Sequence, residues 1–134
     1  MRKKRAAAFA LFLLGLVLGP PLLAQPIAYE KVYSGDILPG YVPDGRLIET
    51  DGYLWVSPNG VFLKVDPMSA ALPLFVDVTG VPRDMLEKVK AACRSEHPSQ
   101  TAGCTAVVRG RVGKSRVGDR DWPGIFATFI APQA

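Results

Sequence analysis

The N-terminal stretch decides which part of this chain has to fold. Four basic residues follow the initiating methionine, and residues 6–19 are apolar or glycine throughout. Two prolines then break any helix, and Ala24 supplies a small residue for cleavage. A charged segment, a short apolar segment, a helix breaker and a small residue are together typical of a secretory signal peptide. We therefore expect residues 1–24 to be removed near Ala24.

A membrane anchor is the alternative interpretation of this stretch. An anchor needs roughly 20 consecutive apolar residues to span the hydrocarbon core, and residues 6–19 form a shorter run. The residue directly after Ala24 is Gln25 and not a cysteine, so a lipid-modified N-terminus is not indicated. The sequence therefore predicts a periplasmic or secreted protein, with no membrane span after cleavage.

Cleavage also changes the charge of the chain. The full sequence has 16 Lys+Arg and 12 Asp+Glu residues, for a net charge of +4. Four of the basic residues precede Ala24, so the mature chain has 12 residues of each sign and no net charge. A general attraction to nucleic acid or to an anionic membrane depends on a basic surface. Nucleic acid is therefore disfavoured as a partner.

The two cysteines, Cys93 and Cys104, both belong to the mature chain. An even number of cysteines in an exported chain predicts a disulfide. Closing so short a loop stabilises a fold by about 3 kcal/mol on chain-entropy grounds. A metal or redox site is the alternative, but two cysteines without Cys-x-x-Cys spacing do not form a zinc site.

Short apolar runs separated by glycine, proline, asparagine and aspartate predict a mainly β protein. One helix is expected over 83–92, where apolar residues recur at three- and four-residue steps. Residues 25–45 are interpreted as an extended lead-in, and residues 46–134 as a single domain. Strands are expected at 46–49, 53–56, 61–65, 72–78, 104–112 and 125–130, with turns at 51–52 and 57–60 and a polar loop over 113–124.

Three or more strands, one helix and two further strands follow the order of the OB-fold, a five-stranded Greek-key barrel. Over about residues 52–130 the chain resembles small secreted bacterial proteins with an OB-fold-like domain. This resemblance implies the barrel but no settled activity. An open α+β sheet with one packed helix is the alternative fold. The resemblance depends on LFVDV at 74–78, Pro82 before the helix, Cys93, Gly103, Cys104, Val107, Arg109, Gly110, Val112, Gly124, Ile125 and Ala127.

Strand alternation predicts an aromatic face. Aliphatic side chains from 54 to 78 can share the core side, which places Tyr53, Trp55, Phe62 and Phe75, with Lys64 and Asp77, on the opposite side. In an OB barrel the outer face of strands two and three is the usual ligand surface, and aromatic rings there stack on bases, sugars or peptides. The four aromatic residues are therefore predicted to bind ligand. Alternatively, the lead-in or a partner chain covers these rings.

Arg109 and Arg111 form a second candidate site. They alternate with apolar residues, so both side chains point to one face of a strand. Further basic residues follow at Lys114, Arg116 and Arg120, against Asp119 and Asp121. This cluster could hold an anionic group at the rim of the aromatic face. A solvated strand face is the alternative.

The sequence predicts no catalytic, metal or cofactor site. His97 is the only histidine and has no nucleophile in a recognisable setting, and Asp77 has no carboxylate partner for acid–base work. We therefore expect a non-catalytic binding or interaction domain whose partner is a protein, a glycan or a small anionic ligand. The alternatives are a structural subunit of a cell-envelope complex and a small hydrolase that uses His97 or Asp77.

Overall fold

The computed structural model describes residues 26–66, 72–94 and 104–133, and these residues form a mainly β fold with one α-helix. A short 3-10 helix, Ser34–Asp36, precedes the long strands. No helix in the described part is long and apolar enough to span a membrane. The elements are β1 (Glu30–Lys31), β2 (Leu47–Ser57), β3 (Gly60–Lys64), β4 (Leu74–Asp77), α1 (Arg83–Cys93), β5 (Thr105–Val117) and β6 (Arg120–Pro132).

The strands form one mixed sheet whose pairings return to their starting strand. The C-terminal half of β2 pairs antiparallel with β3, and its N-terminal half pairs antiparallel with β5. β3 pairs antiparallel with β4, β4 pairs parallel with β6, and β6 pairs antiparallel with β5. The circuit is therefore β2–β3–β4–β6–β5–β2, and β1 adds to β2 in parallel outside it.

The turn predicted at Asp51-Gly52 is wrong, because both residues lie inside β2. β2 changes partner there, and Tyr53 pairs with both Thr105 of β5 and Lys64 of β3. A Cβ atom at Gly52 would lie only 2.7 Å from the carbonyl oxygen of Lys64. Glycine therefore permits a close approach of two strands here, and the chain does not reverse.

The polar loop predicted over 113–124 is also wrong. β5 continues to Val117 and β6 begins at Arg120, so a two-residue turn joins them. Gly118 in that turn has φ of +66°, as primed hairpin turns require. β2 pairs with β5 only up to Arg111, so the outer part of the hairpin extends past this pairing. Polar side chains therefore occupy both faces of this outer part. Its sequence lacks the apolar alternation from which a strand is predicted.

The core is formed by alternate side chains of the strands and by one face of α1. The predicted helix is confirmed, extends to Cys93 and buries Val89 completely. Cys93 and Cys104 lie at disulfide distance, with their Cα atoms 5.4 Å apart, which fits the predicted pair. Val65 and Val78, also expected in the core, are only partly buried. The buried members of the predicted aliphatic set are Leu54, Val56, Val61, Leu63, Leu74 and Val76.

The lead-in lies against the strands. The backbone N–H of Val32 donates to the carbonyl oxygen of Glu49 at 3.0 Å, and the hydroxyl of Thr50 donates to the carbonyl oxygen of Val32 at 2.8 Å. Further along, Ser34 and Ile37 are both 2% exposed. Of the apolar residues of the lead-in, Ile37 and Val42 are therefore buried in the core, whereas Ile27, Tyr33 and Tyr41 are exposed.

Candidate functional site

Three aromatic rings lie side by side across three strands. Trp55 of β2 is opposite Phe62 of β3, which is opposite Phe75 of β4. The ring centroids of Trp55 and Phe62 are 5.2 Å apart, and those of Phe62 and Phe75 are 5.8 Å apart. Both spacings are in the favourable range for aromatic pairs. We call Trp55, Phe62 and Phe75 the aromatic row.

The aromatic row occupies the outer side of the sheet, as expected from alternation. Each ring is half-buried, while the residues on either side of it in sequence are buried in the core. The rings are tilted by 32° between Trp55 and Phe62 and by 66° between Phe62 and Phe75. The row therefore presents successive facets and not one flat platform.

Two glycines border the row. A Cβ atom at Gly60 would lie 3.2 Å from the ring of Phe75 and 3.6 Å from that of Phe62. Gly124 of β6 is the register partner of Phe75 and approaches its backbone closely. Because neither residue has a side chain, the edges of the row stay uncovered at these two positions.

Tyr53 and Trp122 lie near the row but differ in their surroundings. Tyr53 is on the same side of β2 as Trp55, opposite Lys64, whose side chain is buried. The indole N–H of Trp122 donates to the carbonyl oxygen of Pro73 at 2.9 Å. Our sequence analysis missed Trp122 because it falls in the segment predicted as a loop. Trp122 lies two residues before Gly124 on β6, so the two residues share a side of the strand, but the polar sequence around Trp122 gives no alternation signal that could have indicated this.

The side chain of Arg109 contacts three other side chains of the same chain. Its Nε donates to Oε1 of Glu49 at 2.8 Å, and its guanidinium carbon lies 4.7 Å from the ring centroid of Phe129 and 5.8 Å from that of Tyr29. Lys31 also approaches Glu49, at 3.7 Å. The hydrogen bond from Arg109 is the main reason why the pKa of Glu49 is lowered, against an opposing effect of desolvation. Arg109 therefore ties the lead-in to the sheet.

Arg111 shares the face of Arg109, as expected, and its guanidinium carbon lies 4.8 Å from the ring centroid of Phe126. The two arginines belong to β5 and pair with Leu47 and Glu49 in the N-terminal half of β2, whereas Trp55 lies in the C-terminal half of β2, which pairs with β3. No described contact joins either arginine to a ring of the row. The structure therefore does not bring the two candidate sites together. In the rest of the basic cluster, Lys114 lies 4.0 Å from Asp44, and Arg116 lies 3.4 Å from Asp121.

The residues considered for catalysis do not form a described site. Oδ1 of Asp77 accepts hydrogen bonds from the backbone N–H of Thr79 at 3.0 Å and from its hydroxyl at 2.6 Å, so this carboxylate stabilises a turn. His97 lies outside the described residues. Within 26–66, 72–94 and 104–133, no three His, Cys, Asp or Glu residues are grouped as metal ligands would be.

Comparison with known proteins gives no further guide to the site. No known protein family matches the sequence, and no curated protein is significantly similar to it.

Proposed function

We propose that the chain is a non-catalytic binding domain of the periplasm or of the secreted fraction, and that the aromatic row is its ligand-binding surface. The single observation that carries this proposal is the row itself. Three large rings from three adjacent strands lie on the outer side of the sheet, where packing of the core does not require them. Rings of this kind hold sugars, bases or peptides by stacking.

We further propose that β2–β6 and α1 form an OB-type barrel. The circuit of strand pairings, the parallel pairing of β4 with β6, and the place of α1 between β4 and β5 support this fold. When only the strands of the circuit are counted, β2 is the first strand, and β3 and β4 are the second and third. β1 is left out of this count because it pairs with β2 outside the circuit. β3 and β4 correspond to the strands whose outer face binds ligands in OB-folds, and they hold Phe62 and Phe75.

The proposal predicts that Trp55→Ala weakens ligand binding far more than it lowers stability. Stacking on one aromatic ring contributes about 1–3 kcal/mol, so we expect a loss of affinity of roughly tenfold or more. The ligand is first identified by native mass spectrometry of protein exported after full-length expression, as an added mass that the protein retains. Binding is then titrated, and thermal unfolding is measured on the same variants.

The control for this experiment is Tyr41→Ala. Tyr41 is 76% exposed and lies in the lead-in, outside the row, so its removal should leave affinity unchanged. If Trp55→Ala lowers the unfolding temperature sharply while the folded fraction keeps its affinity, Trp55 is a packing residue and the proposed site is wrong.

A second candidate is a structural subunit of a cell-envelope complex, in which another chain covers the row. The observation that favours it is a set of large apolar side chains exposed on the described part: Ile27, Tyr33, Tyr41, Leu47 and Leu72. The same native mass spectra decide between the two candidates. A monomer that carries a small ligand supports the binding domain, whereas a stable complex with another protein chain supports the subunit.

A further inference from the structure

A groove lies between the C-terminal half of α1 and the end of β2. It has a volume of about 570 Å³, which is within the size range of small-molecule sites. Its walls come from segments that are distant in sequence, so no local pattern indicates it. We call it the helix groove, and its lining residues are Val56, Ser57, Pro58, Glu87, Lys90, Ala91 and Arg94.

Two basic side chains and one acidic side chain line the helix groove. Lys90 is in the last turn of α1, and Arg94 is the first residue after it. In the part of the chain that the structure describes, no carboxylate lies within 4.0 Å of either cation, whereas Lys114 and Arg116 each have an acidic neighbour. The carboxylate of Glu87 offsets one of the two positive charges, so the groove retains an excess of one.

The helix groove is held in shape by the fold. Arg94 forms a backbone bridge with Val56 of β2, and the preceding residue, Cys93, is at disulfide distance from Cys104. The last turn of α1 is thereby fixed against β2. Preorganised walls lower the entropic cost of holding a ligand.

The helix groove begins where the aromatic row ends. Ser57 follows Trp55 by two residues in β2, so the two side chains project from the same side of the strand. The hydroxyl of Ser57 donates to the carbonyl oxygen of Gly60 at 3.3 Å and accepts from the backbone N–H of Asn59 at 3.2 Å, which holds the turn in place. Ser57 therefore connects the side of β2 that carries Trp55 with the lining of the helix groove.

We infer that the ligand is an acidic saccharide, with a sugar ring on the aromatic row and a carboxylate held by Lys90 and Arg94 in the helix groove. The inference rests on the proposed function for the position of the sugar ring. OB-type faces bind oligonucleotides or oligosaccharides, and the neutral mature chain disfavours the polyanionic nucleic acid. A guanidinium and an ammonium group at one site match a carboxylate through charge-assisted hydrogen bonds.

The test compares a galacturonic acid oligosaccharide with its methyl ester, which lacks the negative charges and adds one methyl group per esterified carboxylate. Dissociation constants are measured by calorimetry at low ionic strength, since salt screens exposed charges. We expect the acid to bind about tenfold more tightly than the ester, which corresponds to a charge-assisted hydrogen bond. Lys90→Ala and Arg94→Ala should each reduce this preference, and Glu87→Gln should increase it.

The matched control is Lys88→Ala. Lys88 is an exposed cation of the same helix that does not line the groove, so its loss should leave the preference unchanged. If Lys88→Ala and Lys90→Ala lower it equally, only net charge matters, and the inference is overturned. Lys90→Ala could also act by removing a charge that complements the helix dipole. In that case stability falls while the preference stays, which overturns the inference as well.

The outcomes separate this inference from the proposed function. If Trp55→Ala weakens both probes while Lys90→Ala and Arg94→Ala change neither, the row binds sugars and the helix groove does not hold the charge. If neither probe binds to the native protein, the acidic saccharide is excluded as the ligand class tested. The retained mass and the Trp55→Ala comparison then still decide the proposed function.

Discussion

At the scale of single residues, Gly52 shows how one missing side chain shapes the sheet. The approach of the Lys64 carbonyl oxygen leaves no room for a methyl group, and the nearest Leu63 side-chain atoms are 3.2 Å from the position of a Cβ. The Asp-Gly dipeptide is a strong local turn signal, yet it lies here in a continuous strand. Local sequence could not reveal this, because the reason for the glycine is a strand that follows later in the chain.

Gly52→Ala should destabilise the protein by about 1–3 kcal/mol, since overpacking forces neighbouring strands to shift. Denaturant unfolding of both proteins measures the difference. Asp51→Ala is the matched control, because Asp51 is the exposed neighbour in the same strand, and exposed substitutions change stability by roughly 0.5 kcal/mol or less. Equal stability of Gly52→Ala and the native protein would contradict the close approach.

The contact between Glu49 and Arg109 predicts how the stability of the protein depends on pH. The hydrogen bond from Arg109 lowers the pKa of Glu49 in the folded state, so its stabilising effect is fully present above the ordinary glutamate pKa of about 4.3. The effect is lost as pH falls through the lowered pKa. Glu49→Gln should therefore lose less thermal stability than the native protein between about pH 6 and pH 3.

Thermal midpoints across that pH range provide the measurement. A Glu49→Gln profile parallel to that of the native protein would show that the contact with Arg109 does not contribute to stability.

At the scale of elements, the predictions succeeded where one side of a strand is buried. Alternation placed Trp55, Phe62 and Phe75 on one side and their aliphatic neighbours in the core. It failed at the outer part of the β5–β6 hairpin, where polar residues occupy both faces. The helix groove was missed for a different reason, because α1 and the β2–β3 turn meet only after folding.

The link between α1 and β5 should contribute measurably to stability. Replacing both Cys93 and Cys104 by serine removes a cross-link between the last residue of α1 and a residue 11 positions later, directly before β5. We expect a loss of about 2–4 kcal/mol, measured by denaturant unfolding of the oxidised native protein and the double variant. Addition of a reductant should bring the native protein towards the double variant. If the reductant changes neither the stability of the native protein nor its difference from the double variant, the two cysteines do not form a disulfide under those conditions.

At the scale of the whole molecule, the circuit of pairings joins the two ends of the described chain. β2 near the start pairs with β5 near the end, and the lead-in adds β1 to the outside of β2. The order of elements suggested this closure, but the sequence did not show where β2 changes partners. The outward position of the aromatic row follows from the burial of the opposite side of the same strands in the core.

The return of the pairings to β2 also determines when folding can finish. Until β5 and β6 have been synthesised, β4 has β3 as its partner strand, and the N-terminal half of β2 has only the two-residue strand β1. Pairings between residues so far apart in sequence form slowly, because the conformational entropy of closing a long loop is lost before the pairing contacts stabilise the chain. A nascent chain of this topology therefore cannot complete its sheet until its last strand has been synthesised.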